Sequence, residues 1–144
     1  MTTTINADTS TGGAIVTGDA SGALGLQAAG TTLLTLSGST ATFAKGYTET
    51  VYTLGTSGSL ALDPANGTVQ TCELSGNPTF TDSLSSGQSL SLRLTNGASY
   101  TVTWPTMTWV TSGGNVAPTL TANDTLVFWK ISTTLYGAYV GSGV

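Results

Sequence analysis

The chain has 144 residues, a formal charge of −4 and a pI near 4.1; Lys45, Arg93 and Lys130 are its only cations and it contains no His. Charged residues make up 7% of it, against about 25% in an ordinary soluble domain. A nucleic-acid partner is therefore excluded, because displacing phosphate counterions takes a cluster of Lys and Arg; Ser-His-Asp sets, Cys-His sets and His-based metal sites are excluded with the histidines.

A chain of this length holds one ordinary domain, here with an appended arm. Thr, Ser and Gly together supply about 45% of the residues, where Thr favours strands and Gly and Ser favour turns. An all-β structure is the expectation. The lone Cys72 has no intramolecular partner, so stability must come from packing or assembly. Its flanks Thr71 and Glu73 suggest a strand position and a buried, unreactive thiol, since no cation lies nearby in sequence to lower its pKa. The opening Met1 to Asp8 lacks the basic and apolar regions of a secretory signal, and no window approaches the length of a membrane span. Synthesis in a cytoplasm, with no membrane partner, is expected.

Two regions divide near Gly46, giving an arm over residues 1–46 and a domain over 47–144. In the arm the large apolar residues are few: Ile5, Ile15, Val16, Leu24, Leu26, Leu33, Leu34, Leu36 and Phe43. Gly12-Gly13, Gly18, Gly22, Gly30 and Gly38 punctuate it into strands of about five residues. Leu24 and Leu26 alternate with Gly25, and Leu34 and Leu36 with Thr35. Such a segment cannot offset an ordering entropy of ~1–2 kcal/mol per residue with so little apolar area. It needs a partner surface, for which Leu24, Leu26, Leu34 and Leu36 are the candidate assembly contacts.

In the domain, Asn66-Gly67 falls between Ser59–Leu62 and Thr68–Leu74, and Asn96-Gly97 between Ser89–Leu94 and Ser99–Trp104. Asn-Gly suits a type I′ turn, so two hairpins are expected, the first with a longer loop because of Asp63-Pro64. Leu90, Leu92 and Leu94 face one way and Ser91 and Arg93 the other, as in a half-buried antiparallel strand. Pro78, Pro105 and Pro118 mark strand ends. The stretch Leu126 to Ile131 is apolar on both faces. Val127, Trp129 and Ile131 are assigned to the core, leaving Leu126 and Phe128 beside Lys130 as further candidate assembly contacts. The expected architecture is an extended N-terminal β-arm or fibre-like segment followed by a compact antiparallel β-sandwich or jelly-roll-like domain.

Chemistry is left to carboxylates. Asp8, Asp19, Glu49, Asp63, Glu73, Asp82 and Asp124 show no motif spacing; Asp63, Glu73 and Asp82 are the candidates for a glycosidase pair, but capping of turns or a place facing solvent is the expectation for carboxylates in a β protein. Asp63 to Gly67 lacks the ligand ladder and closing Glu of a calcium loop. No catalytic residue, metal or cofactor is expected. Trp104, Trp109, Tyr100, Tyr136 and Tyr139 would stack on sugar rings if exposed, but the core is their expected place.

The stretch Ser21 to Leu36 resembles the repeating shaft segment of bacteriophage fibre proteins. From Gly58 to Gly141 an ordered series resembles phage tail-fibre and virion surface domains: Leu60 to Gly67, Leu74 to Phe80, Val102-Thr103-Trp104-Pro105, Ala117 to Thr121, Phe128-Trp129-Lys130 and Tyr136-Gly137. The resemblance implies a non-enzymatic homotrimer on the virion exterior of a tailed phage, made in the bacterial host cytoplasm. One short shaft-like segment and no adaptor domain fit a capsid decoration (cement) protein bound to the major capsid protein. A short tail fibre or receptor-binding tip, mounted on tail proteins and recognising host surface glycan, is the alternative.

Overall fold

The computed structural model describes residues 23–143. Those residues are almost entirely β, with one short 3-10 turn at Gly97–Ser99 and no α-helix. The positions Ile5, Ile15 and Val16, the glycines from Gly12 to Gly22 and the start of the shaft-like stretch lie outside the described residues. The chain divides into two units, one ending at Thr48 and one beginning at Glu49.

In the first unit, β1 (Ala23–Ala28), β2 (Thr31–Ser37) and β3 (Thr40–Phe43) form one antiparallel sheet in that order. The β1–β2 turn has two consecutive positive φ angles, 49° at Ala29 and 74° at Gly30, the requirement of a two-residue I′ connection. Gly38 (φ 57°) opens the second turn, which the Thr40 hydroxyl closes by donating to the Ser37 carbonyl at 2.8 Å. The breaks at Gly30 and Gly38 fall where the sequence places them, and over residues 23–43 the strands of the expected extended β-arm or fibre-like segment fold back on one another twice. Each Gly-containing break is short enough to return the strand onto its neighbour, which satisfies backbone groups that an isolated arm would leave to solvent.

The second unit contains β4 (Val51–Thr53), β5 (Gly58–Leu62), β6 (Val69–Glu73), β7 (Pro78–Asp82), β8 (Ser89–Thr95), β9 (Thr108–Val110), β10 (Asn123–Ile131) and β11 (Thr134–Ser142). A six-stranded sheet runs β4-β6-β8-β10-β11-β9, and β5 pairs with β7 in a second sheet. The antiparallel expectation holds only for β8–β10 and β10–β11; the pairs β4–β6, β6–β8, β5–β7 and β9–β11 are parallel. From β4 to β8 the chain alternates between the sheets, and strands two apart pair in parallel: Val51 with Val69, Val69 with Ser91, Gly58 with Pro78. Each strand of the other sheet serves as the crossover that parallel pairing needs.

The two expected Asn-Gly hairpins are therefore absent. Asn66-Gly67 is a corner between β5 and β6, which lie in different sheets. Asp63 Oδ1 accepts from the Ala65 N–H at 2.9 Å, and the buried Gln70 amide donates to the carbonyls of Asp63 (2.7 Å) and Gly67 (2.9 Å), pinning the corner from inside. At the second site Asn96 has φ 65° and caps the 3-10 turn, while its side-chain amide donates to the Leu74 carbonyl at 3.2 Å. The tight hairpin of this unit joins β10 to β11 through Ser132 (φ 54°), with Ile131 opposite Thr134.

One core takes Leu60 and Leu62 from β5, Phe80 from β7, Cys72 from β6, Leu90, Leu92 and Leu94 from β8, Leu126 and Phe128 from β10 and Leu135 from β11. The β8 alternation matches its sequence reading, with Ser91 and Arg93 half-exposed on the opposite face.

Candidate functional site

The four arm leucines come together on one face. Leu24 lies opposite Leu36 and Leu26 opposite Leu34 across β1–β2; across β2–β3, Leu34 meets Phe43 and Leu36 meets Ala41. Side chains at opposed positions of a ladder project on the same side, so six apolar side chains share a face. That face is open: Leu26 is 45%, Leu36 40% and Phe43 57% exposed. Tyr47 extends it, its ring 5.6 Å from that of Phe43. No charged residue occurs from Ala23 to Ala44.

Leu126 and Phe128 are not on a surface. Both are fully buried, opposite Leu92 and Leu90 of β8, whereas Ile131 is largely exposed and Val127 and Trp129 only half-buried. This reverses the expected facing of β10 and removes both residues as assembly contacts. The strand's inward parity is set by the β8 leucines it packs beside. On the outward face Trp129 stacks on its cross-strand partner Tyr136, with ring centres 5.5 Å apart and planes at 10°.

Of the other aromatic residues, the half-buried Trp104 packs against the core, stacking on Phe80 at 4.8 Å and meeting the edge of the buried Trp109 at 5.4 Å. Tyr100 and Tyr139 pack against the same core while remaining partly accessible. Gly137 lets Met107 and Trp109 approach closely: a Cβ would stand 2.8 Å from Met107 Sδ and 3.0 Å from the Trp109 ring, so both side chains would have to shift to admit one.

Among the described residues, four carboxylates are engaged structurally. Asp63 caps its corner, and Asp82 accepts from the Leu84 N–H at 2.9 Å and from Lys130 Nζ at 2.6 Å. Glu49 accepts from the Thr68 hydroxyl. Asp124, which sequence reasoning did not single out, is fully buried and accepts from the Thr121 N–H (2.8 Å), the Thr121 hydroxyl (2.8 Å) and the Tyr139 phenol (3.0 Å). Those three bonds satisfy a charge that would otherwise be costly to bury. Cys72 is also buried and donates to the Gly55 carbonyl at 3.2 Å; burial pushes its thiol up to about 11. Among the described residues no three His, Cys, Asp or Glu side chains gather as a metal site, and no helix is long and apolar enough to cross a membrane.

Beyond Asp124, the loop after β9 and the Tyr139 ring enclose a half-open cavity of about 320 Å³, bordered by Thr111, Ser112, Val116, Pro118 and Thr119. Nothing in the order of the sequence joins Tyr139 to residues 111–119. The parallel pairing of β9 with β11 does so, through Tyr136–Thr108, Gly137–Trp109 and Ala138–Val110.

Comparison with protein-family models, with curated proteins and with solved structures gives no match for this chain.

Proposed function

We propose that this chain is a non-enzymatic, self-assembling structural protein of a bacteriophage particle, a homotrimer that decorates the exterior of the head. The observation that carries the reading is the open leucine face of the β1–β3 sheet. A patch of Leu24, Leu26, Leu34, Leu36, Ala41 and Phe43 without a charge is a surface for protein, since water is a poor solvent for it and no ionic ligand has a handle on it. A three-stranded sheet also needs its apolar face covered to be stable.

The covering surface is built from copies of the same chain, which arrive at the same concentration and present the same apolar geometry. The second unit, read as a short β-sandwich, is the displayed body of the trimer. Its surface of Thr, Ser and Gly and its low charge suit a protein exposed on a particle. The resemblance of Ser21 to Leu36 to fibre shafts, and of Gly58 to Gly141 to virion surface domains, supplies the phage setting and the major capsid protein as partner.

Light scattering after size exclusion is expected to give about three times the chain mass, and electron microscopy of particles is expected to show three-fold density over the head. A monodisperse monomer at micromolar concentration would overturn the assembly, and density at the tail would move the protein to a short fibre. Particles washed in 1 M salt, where the Debye length is about 3 Å, are expected to retain a protein held by apolar burial.

A further inference from the structure

We infer that the cavity between Tyr139 and the loop after β9 binds one neutral sugar ring. The proposal goes beyond the structural role and does not depend on the oligomeric state. A volume of about 320 Å³ lies at the small end of ligand sites, which span about 300–1,000 Å³.

The lining combines two kinds of group. Thr111, Ser112 and Thr119 bring hydroxyls, while Val116, Pro118 and the Tyr139 ring bring apolar and aromatic surface. A pyranose has the matching division, with hydroxyls around its edge and C–H groups on its faces. No charged side chain lines the cavity. A phosphate, sulfate or sugar acid would be desolvated there without a cation to offset the cost, so the ligand is uncharged.

The walls are held in place before any ligand arrives. The Tyr139 phenol donates to Asp124 Oδ1, and Asp124 is in turn held by two bonds from Thr121. The loop is tied to β9 by the Trp109 N–H donating to Asn115 Oδ1 at 2.7 Å. It is folded on itself by the Thr111 hydroxyl donating to the Gly114 carbonyl at 2.6 Å. With its proton committed to the loop carbonyls, Thr111 Oγ1 keeps only lone pairs, so its part toward a sugar hydroxyl is that of an acceptor. A fixed aromatic wall and a fixed hydroxyl reduce the ordering cost that weak, polar ligands otherwise fail to meet.

The test is a titration of the full-length, isotope-labelled protein, followed by amide NMR, with methyl glucosides, galactosides and mannosides, N-acetylglucosamine, glucuronate and N-acetylneuraminate. At least one neutral sugar is expected to displace the amide signals of residues 111–119 in a saturable manner, with the acids inactive. Thr119→Ala, at an exposed position, is expected to weaken binding about tenfold, the loss of one hydrogen bond, and Tyr139→Leu to abolish it in a protein that stays folded, with its further spectral changes confined to the neighbourhood of Asp124. If Tyr139→Leu does not fold, the Thr119→Ala comparison decides. A glycan array then separates a free sugar from the end of a surface chain. No displacement by any neutral sugar, displacement only elsewhere, equal binding of the acids, or concentration-dependent shifts of the same amides without sugar would each overturn the proposal. None of these results bears on whether the chain is a trimer.

Discussion

Lys130 Nζ lies 2.6 Å from Asp82 Oδ2, and both side chains are only 19% exposed. The pair joins the six-stranded sheet, through β10, to the end of β7 in the two-stranded sheet. Asp82 is further oriented by the Leu84 N–H. Lys130→Met leaves that carboxylate largely buried without its cation and is expected to cost about 1–3 kcal/mol. The double variant Lys130→Met with Asp82→Asn is expected to recover part of the loss. Urea unfolding of the three proteins checks this; additive losses would show that the pair is not coupled.

Gly67 has φ 146°, and a Cβ built on it would stand 2.5 Å from the Thr50 carbonyl oxygen. That oxygen belongs to the backbone and cannot swing aside. Gly67→Ala is therefore expected to destabilise by roughly 2 kcal/mol or more. Gly30→Ala, where φ is 74° but nothing lies within 4 Å, is expected to cost about 1–2 kcal/mol from conformation alone. Equal losses in thermal or denaturant unfolding would remove the close approach as the cause.

The exposed leucines and the buried ones are expected to respond differently to the same insult. Leu26→Asp combined with Leu36→Asp places charge on the open face of β1–β2 and is expected to reduce the scattering mass to that of one chain. The near-ultraviolet circular dichroism of the Trp104–Trp109 core should persist. Leu126→Asp instead buries an unpaired carboxylate opposite Leu92, and loss of that aromatic signal is expected with it.

Burial raises the Cys72 thiol from an ordinary 9.0 to about 11. Between those values the unfolded chain has released its proton and the folded chain has not. The contribution is therefore fully present below pH 9.0 and is lost as the pH rises toward 11, at up to ~1.4 kcal/mol per pH unit. The difference in stability between the native protein and Cys72→Ala, measured from pH 7 to 11, isolates this effect from the tyrosines and lysines. A difference independent of pH would refute it. At neutral pH the native thiol is expected to react with thiol reagents only as fast as the fold opens.

Strand parity was readable wherever one side of the alternation was polar. Leu90, Leu92 and Leu94 against Ser91 and Arg93 allow one facing only, and Leu24 and Leu26 of β1 with Leu34 and Leu36 of β2 likewise alternate onto one face, Leu33 standing on the other. In β10 both parities are apolar, and the sequence offers no reason to prefer Phe128 over Trp129 for the core. The choice was made by β8, whose leucines stand opposite Leu126 and Phe128. The candidate contacts accordingly divided, with the four arm leucines on a surface and the two β10 residues inside.

What the sequence determined by itself is the β class, the breaks at Gly30 and Gly38, and the scarcity of charge, because these follow from local backbone preference and composition. The tertiary structure decided which strands pair. An alternating strand looks the same whether its neighbour is parallel or antiparallel, and an Asn-Gly corner satisfies its backbone as well between two sheets as within a hairpin. Only the long-range contacts of the shared core distinguish these outcomes. The same contacts bring Tyr139 to the loop of residues 111–119, bury the Gln70 side chain with its amide N–H groups bonded to the Asp63 and Gly67 carbonyls, and bury Asp124 with three donors around it, arrangements that no local pattern encodes.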